Sequence, residues 1–166
     1  MGQYRRCAVP PDQETGIWIK RLRASEEVQV VVLSDKMDGF ISHWTGQVSI
    51  PCVDPSDECE GCASGFPARW RGYLHCLDLQ SGKEYFLEVT KGAAEQLALQ
   101  LECATGYRGM RIMIRRMSGD AARLKVQINA PWEKLTSKPL PPFVDPEASL
   151  QGLYRKNTQK QARSKS

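Results

Sequence analysis

The sequence has only two histidines, His43 and His75, in 166 residues, which leaves few side chains able to move protons near neutral pH. It also lacks a phosphate-cradling G-x-x-x-x-G-K loop, a G-x-S-x-G nucleophile elbow and an H-E-x-x-H pair, so three common routes to catalysis have no starting motif. Acids are spread mainly along turns and one cysteine-rich loop. These absences point to a non-catalytic binding module. No run approaches the roughly 18 apolar residues that a membrane span needs, so no membrane partner is expected. The start, MGQYRRCAVPPDQE, has no apolar stretch of a secretory signal, and Arg6 stands where a myristoylation motif requires Ser or Thr. The expected location is cytoplasmic, nucleoid or nuclear, not secreted.

The composition that is present suits one globular domain with a tail. Apolar residues make up 41% and charged residues 25%, and the length is short for two domains. The formal net charge is +4, yet the last 13 residues carry Arg155, Lys156, Lys160, Arg163 and Lys165 without an acid. Removing those five charges from +4 leaves the rest of the chain at −1, so the basicity sits mainly in a polar tail that cannot bury enough surface to fold alone.

Of the six cysteines, Cys52, Cys59 and Cys62 crowd one window together with His43. Without a sign of secretion, clustered cysteines point to metal rather than to a disulfide framework. Cys59-Glu60-Gly61-Cys62 is a C-x-x-C pair whose spacing lets two thiolates grip one ion, and Pro51 and Pro55 stiffen the loop around Cys52. A structural zinc ion needs four ligands. His43, Cys52, Cys59 and Cys62 form the preferred set, with His75 or Cys76 as rivals for the histidine position. The acids Asp54, Asp57, Glu58 and Glu60 would repel phosphate, so the loop is expected to brace the fold. A deaminase-type zinc site is excluded: His43 is followed by Trp44-Thr45 where the catalytic glutamate belongs, and Cys52 lies too far from Cys59. No thioredoxin-like βαβ pattern surrounds the C-x-x-C pair.

Along the chain, residues 1–16 read as an arm. Val28–Leu33 is a β-branched strand, Asp38-Gly39 a turn, and Phe40–Ile50 a second extended segment leading into the cysteine loop at 43–62. Arg69–Leu79 and Lys83–Val89 read as a hairpin around Ser81-Gly82. The period then changes. Lys91–Cys103 places Ala94, Leu97, Ala98 and Leu101 on one helical stripe, with Thr90 as N-cap and Gly106 as a stop. Met110–Met117 and Ala122–Asn129 form a final hairpin, followed by a proline-rich extended segment at 131–153 and the basic, disordered tail at 154–166.

This order of strands, one main helix and a closing hairpin resembles the OB-fold, a five-stranded Greek-key barrel with a helix between its third and fourth strands. The resemblance covers residues 28–130 and concerns element order. It implies a mostly β fold: a small OB-like β-barrel at 17–130 with an inserted zinc loop, binding single-stranded DNA or RNA without strict sequence preference. The basic tail departs from the acidic tip of classical bacterial single-stranded DNA-binding proteins. Another small β-barrel or an α+β sandwich would fit the same order.

Single-strand binders join a basic groove to aromatics on which bases stack. Arg69, Arg71 and Tyr73 on one strand, Arg108, Arg111, Arg115 and Arg116 near the next hairpin, and Arg123 and Lys125 on the last strand are the candidate contacts. Trp70 and Tyr73 are an odd number of residues apart and face opposite sides of a regular strand, with Trp70 the expected core member. The expected function is a zinc-stabilised accessory factor in DNA or RNA metabolism. The alternative is a zinc-braced adaptor that docks on a larger assembly through a surface such as Pro139–Val144.

Overall fold

The computed structural model describes residues 17–47, 49–53, 56–101, 106–119, 123–129, 139–142, 144 and 163. The expected arm at 1–16, most of the proline-rich segment and nearly all of the basic tail therefore lie outside the described residues. The fold is mostly β with one main helix. Among the described residues eight strands occur in chain order: β1 (Ile19–Lys20), β2 (Glu27–Val32), β3 (Asp38–Trp44), β4 (Ser49–Pro51), β5 (Ala68–Asp78), β6 (Glu84–Thr90), β7 (Arg111–Arg116) and β8 (Leu124–Asn129). A short helix, α1 (Glu60–Ala63), precedes β5, and the main helix, α2 (Lys91–Gln100), joins β6 to β7. No described helix is long and apolar enough to cross a membrane.

The longest strand, β5, organises the sheet. It pairs antiparallel with β6 along one edge and with both β2 and β3 along the other. Val32 opposes Cys76 and Asp38 opposes Tyr73, so the five residues 33–37 face only His75 and Leu74. β2 and β3 are thus one long strand interrupted by an outward loop. Leu33 N–H donates to the His75 carbonyl (2.8 Å) and His75 N–H to Ser34 Oγ (3.2 Å), which satisfies the backbone at the break. The turn expected at Asp38-Gly39 is instead the start of β3. Gly39 is there for space: a Cβ would lie 2.6 Å from Trp70 Cε2, because the indole crosses over that backbone.

The period-2 pattern of the strands puts Val28, Val30 and Val32, Leu74 and Cys76, Tyr85, Leu87 and Val89, and Ile112 and Ile114 on one face. Helix α2 closes this core with Ala93 and Leu97, flanked by Ala94; Leu101, the residue that ends the helix, is also buried, and Ala98 is exposed. Thr90 caps the helix as expected, its Oγ1 accepting from Ala93 N–H at 3.3 Å. On the opposite face Ile17, Tyr73 and Phe86 are buried, with Ile19, Phe40 and Val144 packed against them.

The strand path runs β1-β6-β5-β2-β7-β8, and no described pairing closes it into a cylinder. Its β8 edge is covered by side chains of α2. Gln96 Nε2 donates to the Leu124 carbonyl (3.2 Å) and its Oε1 accepts from Val126 N–H (3.3 Å). One turn on, Gln100 makes the same pair of bonds to Val126 O (3.1 Å) and Ile128 N–H (3.1 Å). Two amides spaced i, i+4 thus stand in for a neighbouring strand and satisfy an edge that would otherwise invite another chain.

Candidate metal centre and basic groove

His43, Cys52, Cys59 and Cys62 converge, their ligand atoms all within 4.8 Å of one another. β3 delivers His43, and the chain after β4 delivers Cys52. Cys59 sits at the N-terminal boundary of α1, and Cys62 follows on its next turn. Cys52 Sγ lies 3.8 Å from Cys62 Sγ and 4.0 Å from Cys59 Sγ. His43 Nε2 lies 3.3 Å from Cys59 Sγ and 3.6 Å from Cys62 Sγ. Bond lengths of about 2.3 Å to sulfur and 2.0–2.1 Å to nitrogen give a regular zinc tetrahedron edges of about 3.8 Å (S–S) and about 3.6 Å (S–N). Four of the six edges lie close to these values and the other two within 4.8 Å, and the three cysteines are free, not joined in a disulfide.

The surroundings orient these ligands. His43 is fully buried, and its Nδ1 lies 2.8 Å from the Phe66 carbonyl. Nδ1–H therefore donates there, which leaves the Nε2 lone pair facing the sulfurs. Gly61 is the residue that lets the ring in: a Cβ would press on Cδ2 and Cγ and lie 2.8 Å from Nε2. Burial raises the Cys59 thiol, but the backbone amides of Val53 and Cys62, with the Cys62 and His43 side chains, outweigh it and bring the pKa down to about 6. Cys52 is pushed up to about 11 by burial and by its two thiol neighbours, and Cys62 is raised by burial and Cys59. All three sulfurs could be thiolates together only with a cation among them.

The rival ligands lie elsewhere. His75 is buried on β5, its Nε2 3.0 Å from Glu84 Oε2 and its Nδ1 accepting from Val144 N–H at 3.1 Å. Cys76 is a fully buried member of the main core.

The arginine candidates separate into distinct roles. Tyr73 is fully buried, against expectation, and donates from its hydroxyl to Glu88 Oε2 at 3.1 Å, so it offers no ring for stacking. Trp70, expected in the core, is only half-buried across Gly39 and Gly72. Arg108 is a structural clamp: Nη1 donates to the Leu33 carbonyl at the strand break (2.6 Å) and Nη2 to the Pro141 carbonyl (2.9 Å). That clamp and the His75–Val144 bond hold the described part of Pro139–Val144 against the body. Arg111 is half-buried, with its Nε lacking a hydrogen-bond partner among the described residues. Arg115, Arg123 and Lys125 are exposed, and Arg115 and Lys125 oppose each other across the β7–β8 ladder.

Arg69, Arg71 and Arg116 belong to a different assembly, joined by Arg21, which pattern reasoning missed. Arg21 lies 4.2 Å over the ring of Trp44, itself 41% exposed. Arg21 Nε and Arg71 Nε approach Glu88 Oε1 at 3.8 and 3.5 Å. Arg71 Nη1 also donates to the Trp70 carbonyl (3.0 Å), and Arg116 Nη1 to the Leu22 carbonyl (2.9 Å). One concavity is lined by Arg21, Ser42, Trp44, Ser49, Pro67, Arg69 and Arg71. A second shares Arg21, Arg69 and Arg71 and continues to Glu88, Thr90, Lys91, Gly92 and Arg116. Burial lowers the Arg21 pKa; Glu88 and, more weakly, Tyr73 oppose that fall, while Arg71 and Arg116 add to it. No family model, curated protein or solved structure matches the chain.

Proposed function

We propose that the chain is a zinc-stabilised, sequence-tolerant single-stranded nucleic-acid-binding protein, with DNA or RNA as its partner and no catalytic step. The observation that carries this reading is the groove where Arg21, Arg69 and Arg71 converge beside the exposed Trp44. Phosphate neutralisation by guanidinium together with an aromatic platform is the chemistry that single strands require. The zinc ion would act at a distance. His43 precedes Trp44 in β3, and the Phe66 carbonyl that fixes the His43 ring precedes Pro67, so the ligand set supports two walls of the groove. Zinc suits the three-thiolate, one-imidazole set and supplies a redox-inert brace.

Fluorescence anisotropy with short oligonucleotides tests the proposal. Three phosphates neutralised on a single strand give a slope of log affinity against log salt of about −2, steeper if Arg115, Arg123 and Lys125 take part. Arg69→Glu, at an exposed position, should weaken binding and flatten the slope by about 0.7 or more. Chelation should release one zinc per chain and weaken binding while leaving the groove charges in place. An affinity that ignores both salt and Arg69→Glu would refute the groove.

A further inference from the structure

Beyond Trp44 the groove leads into a cavity of about 320 Å³, at the end of the sheet where β6 passes into α2. Its lining residues come from five chain segments: Arg21 and Leu22 after β1, Arg69 and Arg71 of β5, Glu88, Thr90, Lys91 and Gly92 where β6 meets α2, Arg116 of β7 and Leu124 of β8. Five cations (Arg21, Arg69, Arg71, Lys91, Arg116) line it with one carboxylate (Glu88), and although Lys91 also pairs with Glu95 at 3.9 Å, positive charge stays in excess. Three of the guanidiniums are held before any ligand arrives: Arg21 by Trp44 and Glu88, Arg71 by Glu88 and the Trp70 carbonyl, and Arg116 by the Leu22 carbonyl. Such preorganisation lowers the cost of ordering long side chains around an anion. The first turn of α2 forms part of the wall and adds the positive end of the helix dipole.

We infer that this cavity seats the terminal phosphomonoester of a nucleic-acid strand whose adjoining nucleotides lie along the groove past Trp44. The inference rests on the nucleic-acid reading above and adds the part of the strand that is recognised. A terminal phosphate carries close to two negative charges at neutral pH and three acceptor oxygens. An internal diester carries one charge and must leave the cavity as well as enter it. The cavity is of nucleotide size, it holds more positive charge than a single diester can neutralise, and it opens along the face it shares with the groove through Arg21, Arg69 and Arg71.

Anisotropy titrations of the full chain with one oligonucleotide sequence carrying a 5′-phosphate, a 3′-phosphate or hydroxyls at both ends provide the test. One phosphorylated end should bind at least about tenfold more tightly than the hydroxyl strand, the scale of one added charge-assisted contact. Inorganic phosphate should compete away that advantage. Lys91→Gln, at an exposed side chain, should shrink the ratio of phosphorylated to hydroxyl affinity, and Arg116→Gln should bring it close to one. Equal affinity for all three strands would overturn the terminal site while leaving the groove standing. A ratio unmoved in the folded Lys91→Gln and Arg116→Gln proteins would also overturn it, and no binding of any strand would remove both readings.

Discussion

Replacing Gly61 by alanine sets two effects of opposite sign against each other. Gly61 lies inside α1 and is not among the glycines with positive φ, so backbone preference alone favours alanine by about 0.5–1 kcal/mol. The tertiary structure reverses that sign. The new Cβ would collide with the His43 ring, 2.8 Å from Nε2 and closer still to two ring carbons. His43 is fully buried and tied to the Phe66 carbonyl, so it has no room to swing aside. Overpacking of this kind costs about 1–3 kcal/mol, and displacing the ring adds about 1 kcal/mol for the strained hydrogen bond. The net expectation is a loss of about 1–3 kcal/mol, a fall in melting temperature of about 2–10 °C for a chain this size. Zinc affinity should fall about 10–100-fold, as when the groups that orient a ligand are disturbed. Thermal melts of the zinc-loaded protein and competition with a chromophoric chelator measure both. Gly92→Ala is the matched control, since a Cβ there meets nothing within 4 Å and should be neutral or slightly stabilising. A G61A protein that melts as high as its parent and holds zinc as tightly would refute the packing argument and, with it, His43 as a ligand.

Two further outcomes follow from the fold. Gln96→Leu combined with Gln100→Leu removes four hydrogen bonds to the β8 edge, so amide exchange at Val126 and Ile128 should accelerate and self-association should rise with concentration. Unchanged protection at those amides would show that the glutamines do not guard the edge. His75 is held below its ordinary pKa chiefly by burial, with Glu84 opposing and Arg108 assisting the shift. Its unfolded form therefore takes up a proton first as pH falls, near 6.5, and stability is lost from there down through the lower folded value, whereas above about pH 7 the contribution is complete. Protonation also removes the Nδ1 lone pair that accepts from Val144 N–H. Urea melts between pH 7.5 and 5 should show this slope in the parent and a shallower one in His75→Gln; equal slopes would count against the assignment.

Local chemistry was readable in the chain itself. The valines of β2 and the alternation in β8 fixed strands to within a residue or two, because a half-buried strand needs an apolar residue at every second position. Thr90 marked the start of α2, because a capping hydroxyl acts within three residues of its own position. The convergence of His43, Cys52, Cys59 and Cys62 was readable for the same reason: three cysteines and a histidine within 20 residues must close a short loop, and His43 rather than His75 lies inside it. Features that depend on distant partners were not readable. Tyr73 turns inward because β6 places Glu88 opposite it. Gly61 looks like a flexible spacer until β3 brings the His43 ring against it. Of the expected helical stripe, Leu97 and Leu101 are buried and Ala94 packs on the core, whereas Ala98 is exposed and Ala93 is buried in its place; Gln96 and Gln100 meanwhile reach an edge strand almost thirty residues further on. The groove was the least legible of all, since Arg21, Arg71 and Arg116 come from separate strands and loops. Spacing records which neighbours a residue has along the chain, but the convergence of like charges on one carboxylate is set by strand pairing, whose energy lies in contacts between segments far apart in sequence.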